Sequence, residues 1–271
     1  MAEPLTMVNE QSTSVAYERA ETRQHWNGVW DDRSPETIDP RTFADRSGPT
    51  HRHFVSRLDD VEGEDVLELG SGPGHLAVYL AQKGARVTAI DVSPEAVETA
   101  RKNALHNDVA ADVTVRQGNA LDIGRLSGPF DRVTGRFVLH HVEPFEDLVD
   151  ALDAVLAPDG RGVFLENSAR SDLLMWCRRH LAGRFGIPKY GDEDEHPLSP
   201  REVKALRRSF DVQVHVPELV FFKLMIPYVL GPTRSPDVLA NGLRTLDDVL
   251  HRWVPALRRY SYRQVIEIAA T

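Results

Sequence analysis

Three glycines at alternate positions, Gly70, Gly72 and Gly74, follow the apolar run Val66-Leu-Glu-Leu69, with Glu68 inside the run and Ser71 between the first two glycines. Without Cβ atoms such a turn lets backbone amides approach a ligand closely, and a helix N-terminus behind it favours negative or electron-rich groups. The spacing departs from the dinucleotide fingerprint, which needs glycine three residues after its second, because position 75 is histidine. No Gly-Lys-Ser or Gly-Lys-Thr follows, so a phosphate cradle of the P-loop kind is also unsupported. A tight strand-to-helix turn with no ligand is the plain alternative. Downstream, Asp91-Val92 close a second apolar run, where an acid is placed to accept both hydroxyls of a ribose lying over the glycines. Gly118-Asn119-Ala120 ends a third run and offers a side chain and an amide to an adenine edge. His140 and His141 follow a fourth. Imidazole titrates near neutrality and suits general-base work, worth roughly 100- to 10,000-fold where a proton must leave.

These groups need elements to hold them. Apolar runs at Asp65–Leu69, Arg86–Ile90, Val113–Arg116, Asp131–Gly135 and Gly162–Glu166 read as strands, separated by helical patterns at Leu76–Gln82, Pro94–His106 and Phe145–Leu156. Ser93 is placed to cap the second of these helices, with Pro94 at its first position. Strands alternating with helices imply right-handed crossovers and a mostly parallel sheet. After Asn167 the rhythm changes: a helix from Ser171 to about Arg184, a polar loop at 191–196, a capping box at Ser199-Pro-Arg-Glu202, a strand at Val212–Val216, the apolar run Leu219–Leu230, a helix from about Pro236 to Arg252 and a last strand from Arg259 to Ala269. The expected architecture is a Rossmann-like, doubly wound α/β sheet of seven strands with helices on both faces. Residues 1–13 are expected to form a disordered tail and 14–60 an N-terminal helical lid. Residues 61–271 would form the main domain, with insertions at about 168–198 and 219–258 after the fifth strand.

The glycine turn, the acid at the second strand end, the Gly118-Asn-Ala-Leu-Asp122 segment and Phe137-Val-Leu-His-His141 strongly resemble, as a set, the class I S-adenosylmethionine-dependent methyltransferases, over about Asp65 to Asn167. The resemblance implies S-adenosyl-L-methionine as cofactor, with Glu68, Gly70, Ser71, Gly72 and Gly74 around its methionine part, Asp91 and Val92 at the ribose, and Asn119 with the Ala120 amide at the adenine. Arg136 and Phe137 would line the methionine end. The family more often has aspartate where this chain has Asn119, so either its carboxamide oxygen accepts from the adenine or Asp122 substitutes. His140 and His141 are the candidate bases; one of the two is often structural. No metal is expected, since the fourth strand ends in Arg136 where a metal-dependent catechol methyltransferase presents a carboxylate.

Composition bounds the substrate. With 32 Lys plus Arg against 41 Asp plus Glu, the net charge of −9 offers no large basic stripe for nucleic acid. The single cysteine, Cys177, excludes an internal disulfide. No run reaches the roughly 18 apolar residues of a membrane span, and the polar, acidic start predicts no secretory leader. A cytoplasmic enzyme acting on a small-molecule acceptor, apolar or anionic, is expected, methylating oxygen, nitrogen or carbon. The alternatives are a cofactor-dependent cyclase or rearrangement enzyme and a non-catalytic subunit of the same fold. On the substrate side, Tyr17, Trp26 and Trp30 read as lid aromatics or as the packing of an added helix. Arg170, Arg178, Arg179 and Arg184 read as an anion clamp or a solvated helix face, and Glu166 with Asn167, ending strand five towards the same crevice, as substrate contacts, as supports of such contacts, or as plain surface residues. The run Val220-Phe-Phe-Lys-Leu-Met-Ile226 suits a pocket wall, a homodimer interface or a membrane surface.

Overall fold

The computed structural model describes residues 34–182, 184, 196–225 and 237–271. The tail at 1–13, Tyr17, Trp26, Trp30, most of the polar loop and the end of the apolar run lie outside these residues. Strand β1 (Asp65–Leu69) sits in the middle of a seven-stranded sheet. On one side it pairs with β2 (Arg86–Asp91) and that with β3 (Val113–Gln117); on the other lie β4 (Phe130–Arg136) and β5 (Leu156–Asn167), all parallel. Strand β7 (Arg263–Ala270) runs antiparallel to β5 and carries β6 (Phe210–His215) on its outer side, giving the order β3-β2-β1-β4-β5-β7-β6. The direction of winding reverses between β1 and β4. A crevice therefore opens at their carboxyl ends, the place where ligands bind in open α/β sheets.

Side-chain alternation along the strands sends Val66, Val163 and Val265 to one face and Leu67, Leu69 and Phe164 to the other, and each face has its own core. The first face is covered by α1 (Pro40–Phe43), α2 (Pro49–Ser56), α3 (His75–Gln82) and α4 (Pro94–His106). The second is covered by α5 (Phe145–Val155) and α7 (Pro200–Leu206), while α6 (Asp172–Leu181) lies between β5 and α7 in the chain. A strand buried on both faces reads as a near-continuous apolar run, which is why β1 and β5 were visible in the sequence.

Helix starts follow local chemistry. Ser93 Oγ accepts from the Ala96 amide at 3.1 Å, with Pro94 at the first position of α4, and Ser199 with Glu202 forms the full capping box of α7. Two expected strand starts move by four residues or more. β5 starts at Leu156 because Ala157–Gly160 loop out of its ladder with β4, whose register jumps between Phe130 and Arg132. The last strand starts at Arg263, not Arg259, because Pro255–Tyr260 form a 3-10 turn after α8 (Asp237–Trp253). Within residues 34–60, Phe43 stacks on Tyr79 at 4.6 Å, and at the α4 end the Glu36 amide donates to Asn103 Oδ1 and the Ile38 amide to Asn107 Oδ1, both at 2.7 Å. Among the described residues no helix is long and apolar enough to cross a membrane.

Candidate active site at the carboxyl edge of the sheet

All three glycines of the turn after β1 adopt positive φ: 59° at Gly70, 51° at Gly72 and 75° at Gly74. Side chains are strained in this region, and space is also lacking. A Cβ on Gly70 would stand 2.7 Å from Val138 Cγ2, and one on Gly74 2.7 Å from Ala100 Cβ. The glycine pattern thus serves the packing of β4's exit and of α4 as well as any ligand.

Asp91 ends β2 and ties the turn down. Its Oδ2 accepts from the Gly72 amide at 2.8 Å and its Oδ1 from the Ser93 amide at 2.9 Å. Burial pushes its carboxyl above the usual range, against the pull of those amides and that of Val92. Three amides on about four lone-pair positions leave the carboxylate able to accept from a hydroxyl. Asn119 caps the 3-10 turn Ala120–Arg125 by accepting from the Leu121 amide at 2.9 Å; a carboxamide oxygen has a second lone pair, so both it and the amide group can address a ligand. Asp122 is drawn to Arg125 at 3.6 Å.

Glu68 lies in the middle strand, 1% exposed, on the face that carries α3. Its carboxyl is pushed up to about 8, mainly by burial; the Arg136 guanidinium opposes the rise, the Asp91 charge adds to it and the Ala77 amide opposes it. Its Oε2 is buried with no hydrogen-bond partner. A buried orphan oxygen is costly unless a donor or cation arrives, so the residue fits a group such as an ammonium or sulfonium. Arg136 ends β4 beside it, its own pKa drawn down by burial and held up by Glu68. Its Cζ is 5.8 Å from the Phe43 ring, which also receives His51 edge-on at 5.3 Å.

The chain leaves β4 sharply. Phe137 has φ 55°, rare for a side-chain-bearing residue, and its amide donates at 2.7 Å to Leu165 O. Arg263, at the start of β7, places its Cζ 5.7 Å from the Phe137 ring. The turn delivers Leu139–His141. Here Glu166, 0% exposed, accepts from the Val138 and Leu139 amides at 2.9 and 2.8 Å with Oε1 and faces His140 Nδ1 at 2.5 Å with Oε2. Carboxylate oxygens only accept, so Nδ1 carries the proton and the basic lone pair belongs to Nε2. The His141 ring lies 4.1 Å from that of His140.

Glu68, Asp91, Arg136, Phe137, His140 and Glu166 are thus gathered at one edge. Arg170, Arg179 and Arg184 are exposed, and Arg178 donates to the Tyr262 hydroxyl at 3.3 Å. Phe43, His51 and Arg263 are additions that the sequence pattern did not mark. Only the register of β7 against β5, Arg263 opposite Asn167, reveals that this arginine reaches the crevice end.

Comparison with known proteins finds methyltransferases, by sequence over part of the chain and by fold over most of it. A family model for a methyltransferase domain matches residues 66–160. A ubiquinone biosynthesis O-methyltransferase of Xylella fastidiosa (strain 9a5c) is 31% identical over 135 residues, 50% of this chain and 52% of the relative. One from Xanthomonas oryzae pv. oryzae (strain PXO99A) is 36% identical over 123 residues, 45% and 51% of the two chains. The chain therefore spans about half the length of the curated relatives it matches. Two solved structures share the fold at 16% identity. Geranyl diphosphate C-methyltransferase from Streptomyces coelicolor A3(2) has a TM-score of 0.56, with 93% of this chain and 97% of that one covered. Magnesium protoporphyrin IX methyltransferase from Synechocystis PCC 6803 has a TM-score of 0.54, with 96% and 100% covered. With the glycine turn, the sheet order and the matched segment in agreement, residues 66–160 are similar to a methyltransferase domain, set in a fold that methyltransferases of known structure share.

Proposed function

We propose that this protein transfers a methyl group from S-adenosyl-L-methionine to a hydroxyl of a small organic acceptor. The observation that carries the reading is the meeting, at the switch point of the sheet, of a left-handed glycine turn, the Asp91 carboxylate and the orphaned Glu68 oxygen. Glu68, the glycine turn and Arg136 would hold the methionine end of the cofactor, Asp91 and Val92 its ribose, and Asn119 with Ala120 its adenine. The bound cofactor supplies an electrophilic methyl group.

This chain's residues then have to align the acceptor and keep water out; positioning of that kind supplies about 7 to 11 kcal/mol. Phe137 offers an apolar wall, with Arg263 beside it for an anionic group. A hydroxyl must also lose its proton. Glu166 holds the Nδ1 proton of His140 and so makes Nε2 the basic atom, the arrangement of a general base with its orienting carboxylate. Oxygen is favoured over nitrogen or carbon because this pair suits a proton-bearing nucleophile and because the matched relatives are O-methyltransferases.

The experiment is turnover with methyl-labelled cofactor against extracts and panels of phenolic and carboxylated hydroxy compounds. Label in an alkali-stable methyl ether, formed with one equivalent of S-adenosyl-L-homocysteine, is the expected result. Label on nitrogen or carbon instead would remove the hydroxyl from the proposal.

A further inference from the structure

A second group of chemistry-bearing side chains lies just past His141. Glu143, His196 and Glu202 line a cavity of about 280 Å³ with Phe145, Glu146 and Arg201. One ligand-capable atom of each of the three lies within 4.8 Å of the other two.

What distinguishes the group is how each member is held. Glu143 Oε2 accepts from the Phe145 amide at 3.0 Å. His196 Nδ1 faces the Pro197 carbonyl at 3.3 Å, which only accepts, so the Nε2 lone pair is the one turned to the group. Glu202, 7% exposed, accepts with Oε2 from the Ser199 amide at 2.6 Å in the capping box of α7, while its Oε1 is buried with no hydrogen-bond partner. Each residue thus has one atom fixed by neighbouring backbone and the other left over, the pattern by which outer contacts orient metal ligands. His196 Nε2 stands 3.9 Å from Glu143 Oε1, too far for a hydrogen bond. Two metal–ligand bonds of about 2.1 Å, by contrast, span roughly 3 to 4 Å.

From this juxtaposition we infer that Glu143, His196 and Glu202 form a divalent-metal site for an ion of the Mn²⁺ or Zn²⁺ class. Two carboxylates and an imidazole suit such ions better than Mg²⁺, which prefers an all-oxygen shell. Three protein ligands leave open positions towards the cavity. The ion would also fasten the start of α7 to the segment leading into α5. The inference is independent of methyl transfer. The other such group among the described residues, His53, His215 and Glu267, already carries a cation on its carboxylate: Arg57 donates to Glu267 Oε2 at 2.7 Å, and its Nε lies 2.7 Å from Oε1.

The test is Mn²⁺ titration of the chelator-stripped full chain, followed by calorimetry and by the electron paramagnetic resonance of free Mn²⁺. One saturable equivalent is expected, with a thermal midpoint that rises with Mn²⁺. Glu202→Gln keeps an acceptor for the Ser199 amide and should weaken binding at least tenfold; half-exposed His196→Gln should do the same without touching a helix cap. His215→Gln should leave affinity unchanged. Absence of saturable binding, full affinity in both site variants, or loss in His215→Gln instead would overturn the assignment.

Discussion

Glu166 binds His140 Nδ1 and the two backbone amides just before it, so one buried carboxylate fixes both the imidazole and the turn that carries it. Removing it leaves three donors without their acceptor. Glu166→Ala is expected to cost about 3 to 5 kcal/mol of stability, the usual cost of breaking a buried pair, read from denaturant midpoints at unchanged slope. Glu166→Gln should fold more nearly normally and lower kcat rather than cofactor affinity.

His140→Ala and His141→Ala separate the two histidines. Loss of a general base lowers kcat roughly 100- to 10,000-fold. His140→Ala is expected to show that loss with hydroxyl acceptors, with S-adenosyl-L-homocysteine binding retained, while His141→Ala stays within about tenfold of the parent. Measuring both in the same assay checks the order.

Glu68 ties stability to pH. Its folded pKa of about 8 lies above the ordinary 4.5, so between those values the folded state holds a proton that the unfolded state has lost. Its contribution is therefore full below about 4.5 and declines as pH rises towards 8, with a slope of up to about 1.4 kcal/mol per pH unit. Glu68→Gln, neutral throughout, should flatten that decline. Chemical denaturation of both proteins from pH 5 to 8.5 reads it directly.

Glycine at position 74 is required twice, by φ 75° and by the 2.7 Å approach to Ala100 Cβ. Gly74→Ala should destabilise by roughly 2 to 4 kcal/mol, the sum of left-handed strain and overpacking. The double variant Gly74→Ala/Ala100→Gly should recover the packing part only, which a double-mutant cycle would resolve.

Much of this site was legible in the chain because its parts sit where strands end. A strand buried on both faces advertises itself as an apolar run, and β1, β2 and β4 each end on a residue of chemical interest, Leu69 before the glycines, Asp91 and Arg136. Gatherings of residues distant in sequence were not legible. Arg263 comes beside Phe137 through antiparallel register with β5, and Phe43, stacked on Tyr79 in the core, comes beside Arg136; neither relation leaves a local pattern. Asn119 shows a different limit: the same residue type serves as turn cap and as adenine contact, and the cap is what its oxygen makes.

Calorimetric titration of the full chain with S-adenosyl-L-homocysteine addresses cofactor binding most directly, because it needs no knowledge of the acceptor. One saturable equivalent is expected, weakened at least tenfold in Asp91→Ala. Absence of binding at millimolar ligand, or an affinity untouched by that substitution, would contradict the placement of the cofactor over the glycine turn.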